Sequence, residues 1–218
     1  MNRLSASGFV PYLVWGSFAS LLNLSIAVLN WRGCEVISRY YLLAILVVFN
    51  LSSGAGAEEM FETFDNDPAS RWVFFADTVM GGVSTGDATF DSDASGSFVR
   101  LAGEVSTANN GGFIQVRRKL SSKLPDSTKG IRLKVRGNGE VYFVHLRTRG
   151  TRLPWQYYQA QFESTGDWID VQLPLTAFSP SGQFLRNTPH ADTITSIGIV
   201  AFGKDHTALI DAREVEWY

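Results

Sequence analysis

The chain has 218 residues, with 19 basic and 21 acidic side chains and a formal net charge of −2 at pH 7. This length allows one or two domains and an apolar core large enough to fold unaided. The charge balance lacks the basic excess that binds nucleic acid, so we expect no nucleic-acid partner.

The second of two N-terminal apolar stretches, residues 40–51, has the layout of a signal peptide. Arg39 precedes it, it is too short to span a bilayer, and small residues follow it. Ala55 and Ala57 form the A-x-A pair that a signal peptidase reads. The sequence therefore predicts a signal peptide over about 36–57, cleavage after Ala57, and export to the periplasm or cell envelope.

The first apolar stretch, residues 9–31, precedes that signal and has two interpretations. In one, the true start codon lies near Val36, and residues 1–35 are never made. In the other, residues 9–31 form a helix that anchors the protein in the membrane. The stretch is long enough to span a bilayer, although it carries Pro11 and Asn23. A mature chain that begins before Val36 would end the first interpretation.

The predicted mature chain, residues 58–218, is expected to form a single domain without cysteine. Cys34 is the one cysteine of the sequence and precedes this domain. The domain therefore has no disulfide, no thiol nucleophile and no thiolate for zinc. It keeps 16 basic and 20 acidic residues, a formal net charge of −4, which favours solubility. We expect no cofactor.

Short runs of aromatic and β-branched residues with a period of two dominate the mature chain. They predict strands in eight clear places: 98–101, 112–120, 131–136, 141–149, 157–163, 168–175, 194–202 and 208–217. Shorter candidates are 61–64, 72–75 and 88–90. Because no window has sustained helical spacing, the sequence predicts an all-β fold, an antiparallel β-sandwich of jelly-roll type.

The run 131–136 alternates apolar and charged residues, which predicts a strand with one buried and one solvated face. The Gly-Asn-Gly segment 137–139 follows it, and these residues accept the positive φ angles of tight hairpin turns. A second strand-like run begins directly after this segment. We therefore expect an antiparallel hairpin over residues 131–149.

Several short sequence segments follow one another in a fixed order along the whole mature chain. They are Trp72, Asp77 to Ser84 (D-T-V-M-G-G-V-S), Phe98 to Glu104, Asn110 to Phe113, Tyr142 to Thr148, Tyr157 to Phe162, Trp168 with Val171 to Pro174 and Phe178, and Ile194 to Gly198. Together they resemble the complex I intermediate-associated protein 30 family. The resemblance implies a galactose-binding-domain-like β-sandwich and, for mitochondrial members, a chaperone-like role in assembling the membrane arm of respiratory complex I.

The sequence departs from mitochondrial members of that family at its N-terminus. It carries a bacterial-type export signal where they would carry an Arg-rich, acid-poor transit peptide. It is therefore similar to a bacterial exported member, and a shared fold does not establish the same client. We expect a non-catalytic, chaperone-like assembly factor whose partner is another protein. The alternative is a carbohydrate-binding module of the cell envelope.

The family motif also has an interpretation in backbone geometry. Its structural residues are Trp72, Asp77, Gly81, Gly82, Ser84, Gly111 and Gly112. The glycine pairs allow positive φ angles, or close packing under a neighbouring strand that a Cβ would prevent. We expect Asp77 to accept hydrogen bonds from backbone N–H groups in this turn rather than to contact a ligand.

Three patterns that can indicate chemistry lack the required context. Residues 82–86 match the G-x-S-x-G nucleophile elbow, but no helical pattern follows them. Residues 91–96 match the first half of a calcium loop, but Ala102 stands where the bidentate Glu should be, which favours a surface turn. His145, His190 and His206 have no zinc-ligand spacing. The sequence indicates no enzyme and no metal site.

The outward face of the run 141–149 is the best candidate for a binding surface. Across a sheet it would meet the run 157–163, with a tryptophan at the rim. The candidate residues are His145, Arg147, Arg149, Trp155, Tyr157 and Gln159. Aromatic rings stack on sugars or on partner side chains, while Arg, Gln and His supply directional hydrogen bonds. The alternative is an ordinary solvated face covered by long side chains.

Overall fold

Twelve β-strands make up most of residues 59–218, the part of the chain that this computed structural model describes. The strands are β1 (Glu59–Glu62), β2 (Trp72–Ala76), β3 (Thr85–Asp93), β4 (Gly96–Val105), β5 (Phe113–Lys119), β6 (Gly130–Gly137), β7 (Val141–Thr148), β8 (Tyr158–Glu163), β9 (Ile169–Pro174), β10 (Ser179–Pro180), β11 (Ile194–Phe202) and β12 (His206–Trp217). Short 3₁₀ turns cover Pro68–Ser70, Asp77–Met80, Ala108–Asn110, Leu175–Ala177 and Ala191–Thr193.

The strands form two antiparallel sheets of six strands each. Sheet A has the order β3-β4-β12-β6-β9, with β1 also paired to β12. Sheet B has the order β10-β8-β7-β11-β5-β2. The predicted all-β antiparallel sandwich is confirmed. Each of the eight clear runs and three shorter candidates overlaps a strand, although 61–64 shares only residues 61 and 62 with β1. The two-residue β10 is too short to leave a periodic signal.

The predicted hairpin over residues 131–149 is wrong. β6 pairs with β9 and β12 in sheet A, whereas β7 pairs with β8 and β11 in sheet B. The segment 137–139 carries the chain from one sheet to the other, and its N–H groups bond to Thr165, Leu209 and Ser164. Gly139 has the expected positive φ, +86°. A Gly-Asn-Gly turn thus bends the backbone without fixing the partner of the next strand.

The core lies between the two sheets. In β6 every second side chain, at 131, 133 and 135, is fully buried, and in β7 the residues 142, 144 and 146 are buried in the same way. Burial of each aliphatic side chain contributes roughly 1.5–3 kcal/mol. Since successive side chains of a strand point to opposite faces, Phe143, His145 and Arg147 lie on the outer face of sheet B.

The predictions for the N-terminal region lie outside the described residues. They are the signal peptide over about 36–57 and, for residues 1–35, either a misassigned start or a membrane helix at 9–31. Within residues 59–218 there is no helix with the length and apolar character needed to cross a bilayer.

Candidate binding face

The outer face of sheet B brings together side chains from neighbouring strands. His145 of β7 lies opposite Gln159 of β8 on one side and Gly198 of β11 on the other. Gly198 in turn lies opposite Arg117 of β5. The expected neighbours of the β7 face are therefore adjacent to it, and β11 and β5 extend the same face beyond them.

A packed aromatic cluster occupies one half of this face. The His145 and Tyr157 rings stack with centroids 4.1 Å apart and planes 11° apart. Phe143 and Phe202 pack against the edges of the same imidazole, with centroids 6.3 and 5.8 Å away. Burial lowers the pKa of His145 to about 3, and the nearby Gln159 amide offsets only part of that effect. The imidazole is therefore a neutral packed ring.

The loop between β7 and β8 forms the rim of the face. Arg147 holds it, since its guanidinium donates to the carbonyl oxygens of Leu153 and Thr151 at 2.9 and 3.2 Å. Trp155 in this loop is 62% exposed. Arg149 lies beyond the end of β7 and pairs with Asp192 at 2.9 Å. Five of the six predicted residues thus lie on the outer face or its rim, and Arg149 lies at its end.

A groove runs along part of β11 on this outer face because two outward residues of β11, Ser196 and Gly198, are small. Ser196 lies between Lys119 of β5 and Arg147 of β7, and Gly198 lies between Arg117 and His145. The groove contains a cavity of about 260 Å³. The residues lining it are Arg117, Lys119, Arg147, Thr148, Thr151, Thr195 and Ser196. We call Arg117, Lys119, Arg147 and Ser196 the basic groove.

Three cations of the basic groove lie close together without a carboxylate partner. Within residues 59–218 no acidic side chain forms an ion pair with Arg117, Lys119 or Arg147. Burial lowers the pKa of Arg117, and the positive charge of Arg147 lowers it further. Arg117 and Lys119 were not predicted from the sequence. The alternation in the run 112–120 places them on one face, but the sheet order that puts β5 near β7 leaves no sequence signal.

Asp77 organises the turn that follows β2. Its buried carboxylate accepts hydrogen bonds from the backbone N–H groups of Ser84 and Gly112, at 2.9 and 2.5 Å, and from the Ser84 hydroxyl at 2.5 Å. Burial raises the pKa of Asp77, but these hydrogen bonds outweigh it, and the pKa is lowered overall. The carboxylate joins the 77–84 turn to the start of β5.

The glycines of the motif leave room for this carboxylate. A Cβ built on Gly82 or Gly111 would lie 2.3 Å from the nearest atom of the Asp77 carboxylate. Gly81 and Gly112 have φ of +90° and +123°, which an L side chain rarely adopts. Trp72 belongs to the core, where its indole N–H donates to the Glu62 carboxylate at 2.8 Å.

The other motifs that suggested chemistry form structural turns. Ser84 is buried against Asp77, so its hydroxyl is not presented to solvent as a nucleophile elbow requires. Residues 91–96 form the tip of the β3–β4 hairpin, and Asp93 accepts from Ser95 N–H and pairs with Arg213. Among the residues described, no group of three or more His, Cys, Asp or Glu side chains could hold a metal ion.

The outer face of sheet A carries more charge, but its charges are paired. Asp211, with a side chain 4% exposed, accepts from Arg100 at 2.7 Å and from Arg136 at 2.7 Å. Trp168 covers this network, with the guanidinium carbons of Arg136 and Arg213 at 4.6 and 4.1 Å from ring centroids of its indole. Arg100, Arg136 and Arg213 each have a carboxylate partner within the domain.

The fold is that of jelly-roll, galactose-binding-domain-like sandwiches. It is similar to a family 11 carbohydrate-binding module of a cellulosomal cellulase of Clostridium thermocellum, with 12% identity, 74% of this chain and 94% of that chain covered and a TM-score of 0.61. The family 11 module from Clostridium thermocellum in complex with a β-1,3-1,4-mixed-linked tetrasaccharide is 13% identical, with 73% of this chain and 94% of that chain covered and a TM-score of 0.60. An exo-β-agarase is 9% identical, with 73% of this chain and 25% of that chain covered and a TM-score of 0.51.

Residues 61–209 match the family model of complex I intermediate-associated protein 30. The chain belongs to this family, and the resemblance inferred from its motifs is confirmed. No curated protein sequence matches the chain. The solved structures share too little sequence with it to indicate more than a common fold.

Proposed function

We propose that the chain is a non-catalytic, chaperone-like assembly factor that holds another protein on the outer face of sheet B. The observation that carries this proposal is the contrast between the two outer faces. Sheet A pairs its arginines with carboxylates, whereas Arg117 and Lys119 on sheet B have no such partner in the described part of the chain. Cations left without acids on a solvent-facing groove are available to a partner.

Exposed apolar side chains at both ends of this face favour a protein as that partner. Val73 of β2 is 51% exposed, and Leu153 and Trp155 in the β7–β8 loop are 43% and 62% exposed. Aromatic residues and arginine are enriched in protein interfaces. Membership of a family named for a complex I intermediate supports a protein client as well.

The chemistry of the face supports binding without catalysis. With a pKa of about 3, His145 is neutral near pH 7 and lies far from the range of an effective general base or acid. Its Nε2 and the Gln159 Oε1 are buried and have no hydrogen-bond partner among residues 59–218. A general acid or base must lie within hydrogen-bond reach of the group with which it exchanges a proton, and these buried atoms are closed to solvent.

The second candidate is a carbohydrate-binding module of the cell envelope. It is favoured by the exposed Trp155 indole beside Tyr157, because sugar rings stack on open aromatic faces. The stacking of Tyr157 on His145 weakens this alternative, since one face of each ring is already covered. For the cellular location we propose the periplasm or cell envelope, on the basis of the signal peptide predicted at 36–57.

A photo-crosslinking amino acid placed at single positions of the full-length chain tests the proposed function in the cells that make it. Position 155 reports on the outer face of sheet B, and Gln172, exposed on β9, reports on sheet A. We expect a specific protein to be crosslinked from 155 and not from 172, and an excess of unlabelled chain to compete with it. A respiratory complex I subunit among the captured proteins would identify the client class.

Two results would contradict the protein-binding proposal. One is equal capture from both positions, or capture from 172 alone. The other is retention of the chain on an immobilised polysaccharide that Trp155→Ala abolishes without a change in melting temperature, which would favour the carbohydrate-binding alternative.

A further inference from the structure

The basic groove has the dimensions of a site for an extended segment. Neighbouring strands lie about 4.8 Å apart, so β5 and β7 stand roughly 10 Å apart across β11. The small outward residues Ser196 and Gly198 form the floor between the longer side chains of the two flanking strands. The cavity of about 260 Å³ at one end of this groove is open to solvent.

The charge of the groove has one sign. Arg117 and Lys119 stand on one wall and Arg147 on the other. Arg117 and Arg147 are close enough to repel each other, which lowers the pKa of Arg117 beyond the effect of burial. The mature domain as a whole carries an excess of acidic residues. A basic site in an acidic domain gains from a bound anion, because the anion relieves the repulsion between like charges.

Apolar surface continues from the basic groove toward β2. A second cavity, of about 500 Å³, is lined by Arg117 and Lys119 together with Val73 and Phe75. The Arg117 guanidinium carbon lies 4.4 Å from the centroid of the Phe75 ring. The charged side chains of β5 therefore border the apolar side chains of β2. This arrangement suits a chain with both kinds of side chain better than it suits an isolated ion.

The remaining donors also argue against a dedicated site for a single phosphate or sulfate. Backbone N–H groups usually surround such an ion, but those of β5, β7 and β11 are engaged in the sheet. Arg147 directs part of its guanidinium to the carbonyl oxygens of the β7–β8 loop. The side chains that remain available are distributed along the groove rather than converging on one point.

We propose that the basic groove binds a carboxylate-rich, extended segment of the partner protein. Asp or Glu side chains of the segment reach Arg117, Lys119 and Arg147, and its apolar side chains cover Val73 and Phe75. This inference rests on the proposed function, because it names the chemistry of the segment that the outer face of sheet B holds.

Fluorescence anisotropy of a labelled peptide tests the inference on the full-length chain kept in a non-ionic detergent. The probe is a short peptide with Glu and Leu at its odd positions and Ser between them, so that in an extended chain both face the groove. The matched control peptide has Gln in place of Glu. We expect the Glu peptide to bind, and its affinity to fall as salt is added, because salt screens ion pairing. The Gln peptide should bind at least about tenfold more weakly.

Substitutions on the chain locate the binding. Lys119→Gln and Arg117→Gln should each lower the affinity for the Glu peptide about tenfold. Arg117→Lys, which keeps the charge, should retain much of the affinity that Arg117→Gln loses. Lys123→Gln, at an exposed lysine after β5, removes the same charge outside the groove and should leave affinity unchanged. Because Lys119 is exposed and has no ion pair among residues 59–218, loss of binding in Lys119→Gln with an unchanged melting temperature cannot come from unfolding.

Three results would overturn the inference. These are equal binding of the Glu and Gln peptides, equal weakening by Lys119→Gln and Lys123→Gln, and binding of inorganic phosphate or sulfate in the groove without binding of the Glu peptide. The crosslink from position 155 separates this failure from failure of the proposed function. If the captured protein is crosslinked through a neutral or basic segment, only the inference of an acidic segment is refuted. If no protein is captured, the proposed function is refuted.

Discussion

The two outer faces of the sandwich use the same residue types in opposite ways. On sheet A, Asp211 pairs with two arginines and Trp168 lies against two guanidinium groups, so these cations have partners on their own face. On sheet B, Trp155 points to solvent, and Lys119 has no carboxylate partner in the described part of the chain. The charged groups of sheet A therefore stabilise the domain, whereas those of the basic groove lack a carboxylate partner in the described part of the chain.

The largest effect that we expect is on sheet A. Asp211→Asn removes the buried carboxylate that Arg100 and Arg136 share, and the free energy of unfolding should fall by about 3 kcal/mol. Asp170→Asn, at an exposed position on β9, is the control and should change it by less than about 0.5 kcal/mol. Urea denaturation measures both. If both variants lose equally little free energy of unfolding, the sheet A network contributes no stability and the two faces do not differ in this respect.

The two tryptophans give a matched test, one on each face. Trp168→Ala removes the ring that packs on Arg136, Arg213 and Phe98, and should cost about 2–3 kcal/mol. Trp155→Ala should cost less than about 0.5 kcal/mol, since its side chain is mostly exposed. Melting temperature and urea denaturation check the pair. A large loss in Trp155→Ala would mean that the rim of sheet B is structural.

The pH dependence of stability sharpens the description of the aromatic cluster. Unfolded His145 takes up a proton near its ordinary pKa of 6.5, whereas the folded pKa is about 3. The unfolded state therefore binds more protons between these values, and stability falls as the pH drops below about 6.5. From about pH 7.5 to about pH 5 the His145 contribution to this loss is about 2 kcal/mol.

The variant His145→Gln should lack that contribution, and His190→Gln is the exposed-histidine control. Urea denaturation at the two pH values measures the difference. The carboxylates Glu62 and Asp77, whose pKa values are lowered, lose their contributions at lower pH and do not interfere in this window. An unchanged pH dependence in His145→Gln would mean that the imidazole is protonated within the fold and that the cluster is open.

The smallest effect on stability is expected in the basic groove. Lys119→Gln removes an exposed cation that has no ion pair among residues 59–218, so the free energy of unfolding should change by less than about 0.5 kcal/mol. Thermal unfolding measures this change. A loss above about 1 kcal/mol would show that the groove stabilises the domain and would remove the contrast with sheet A.

The sequence predicted the strands and the facing of their side chains well, because burial of alternate residues is a local signal. The alternation of Ile131, Leu133 and Val135 marks a half-buried strand wherever its partner lies. Which strands pair is not local. The local sequence of 137–139 is compatible with both a hairpin turn and a crossover between sheets. Hydrogen bonds to residues distant in sequence decide between the two structures.

The same limit applies to the candidate site. His145 and Gln159 were found because β7 and β8 are consecutive and pair directly. Arg117 and Lys119 were missed because β11, far along the chain, lies between β5 and β7. The motif around Asp77 could be interpreted from the conformational needs of its glycines, but the contact of Asp77 with Gly112 depends on tertiary structure.

We propose that the outer face of sheet B, and not that of sheet A, meets the partner. Hydroxyl-radical footprinting of the full-length chain, free and in complex with the protein captured from position 155, compares oxidation of Trp155 and Trp168 by mass spectrometry. We expect the partner to protect Trp155 and to leave oxidation of Trp168 unchanged. Protection of Trp168 with Trp155 still reactive would contradict the account.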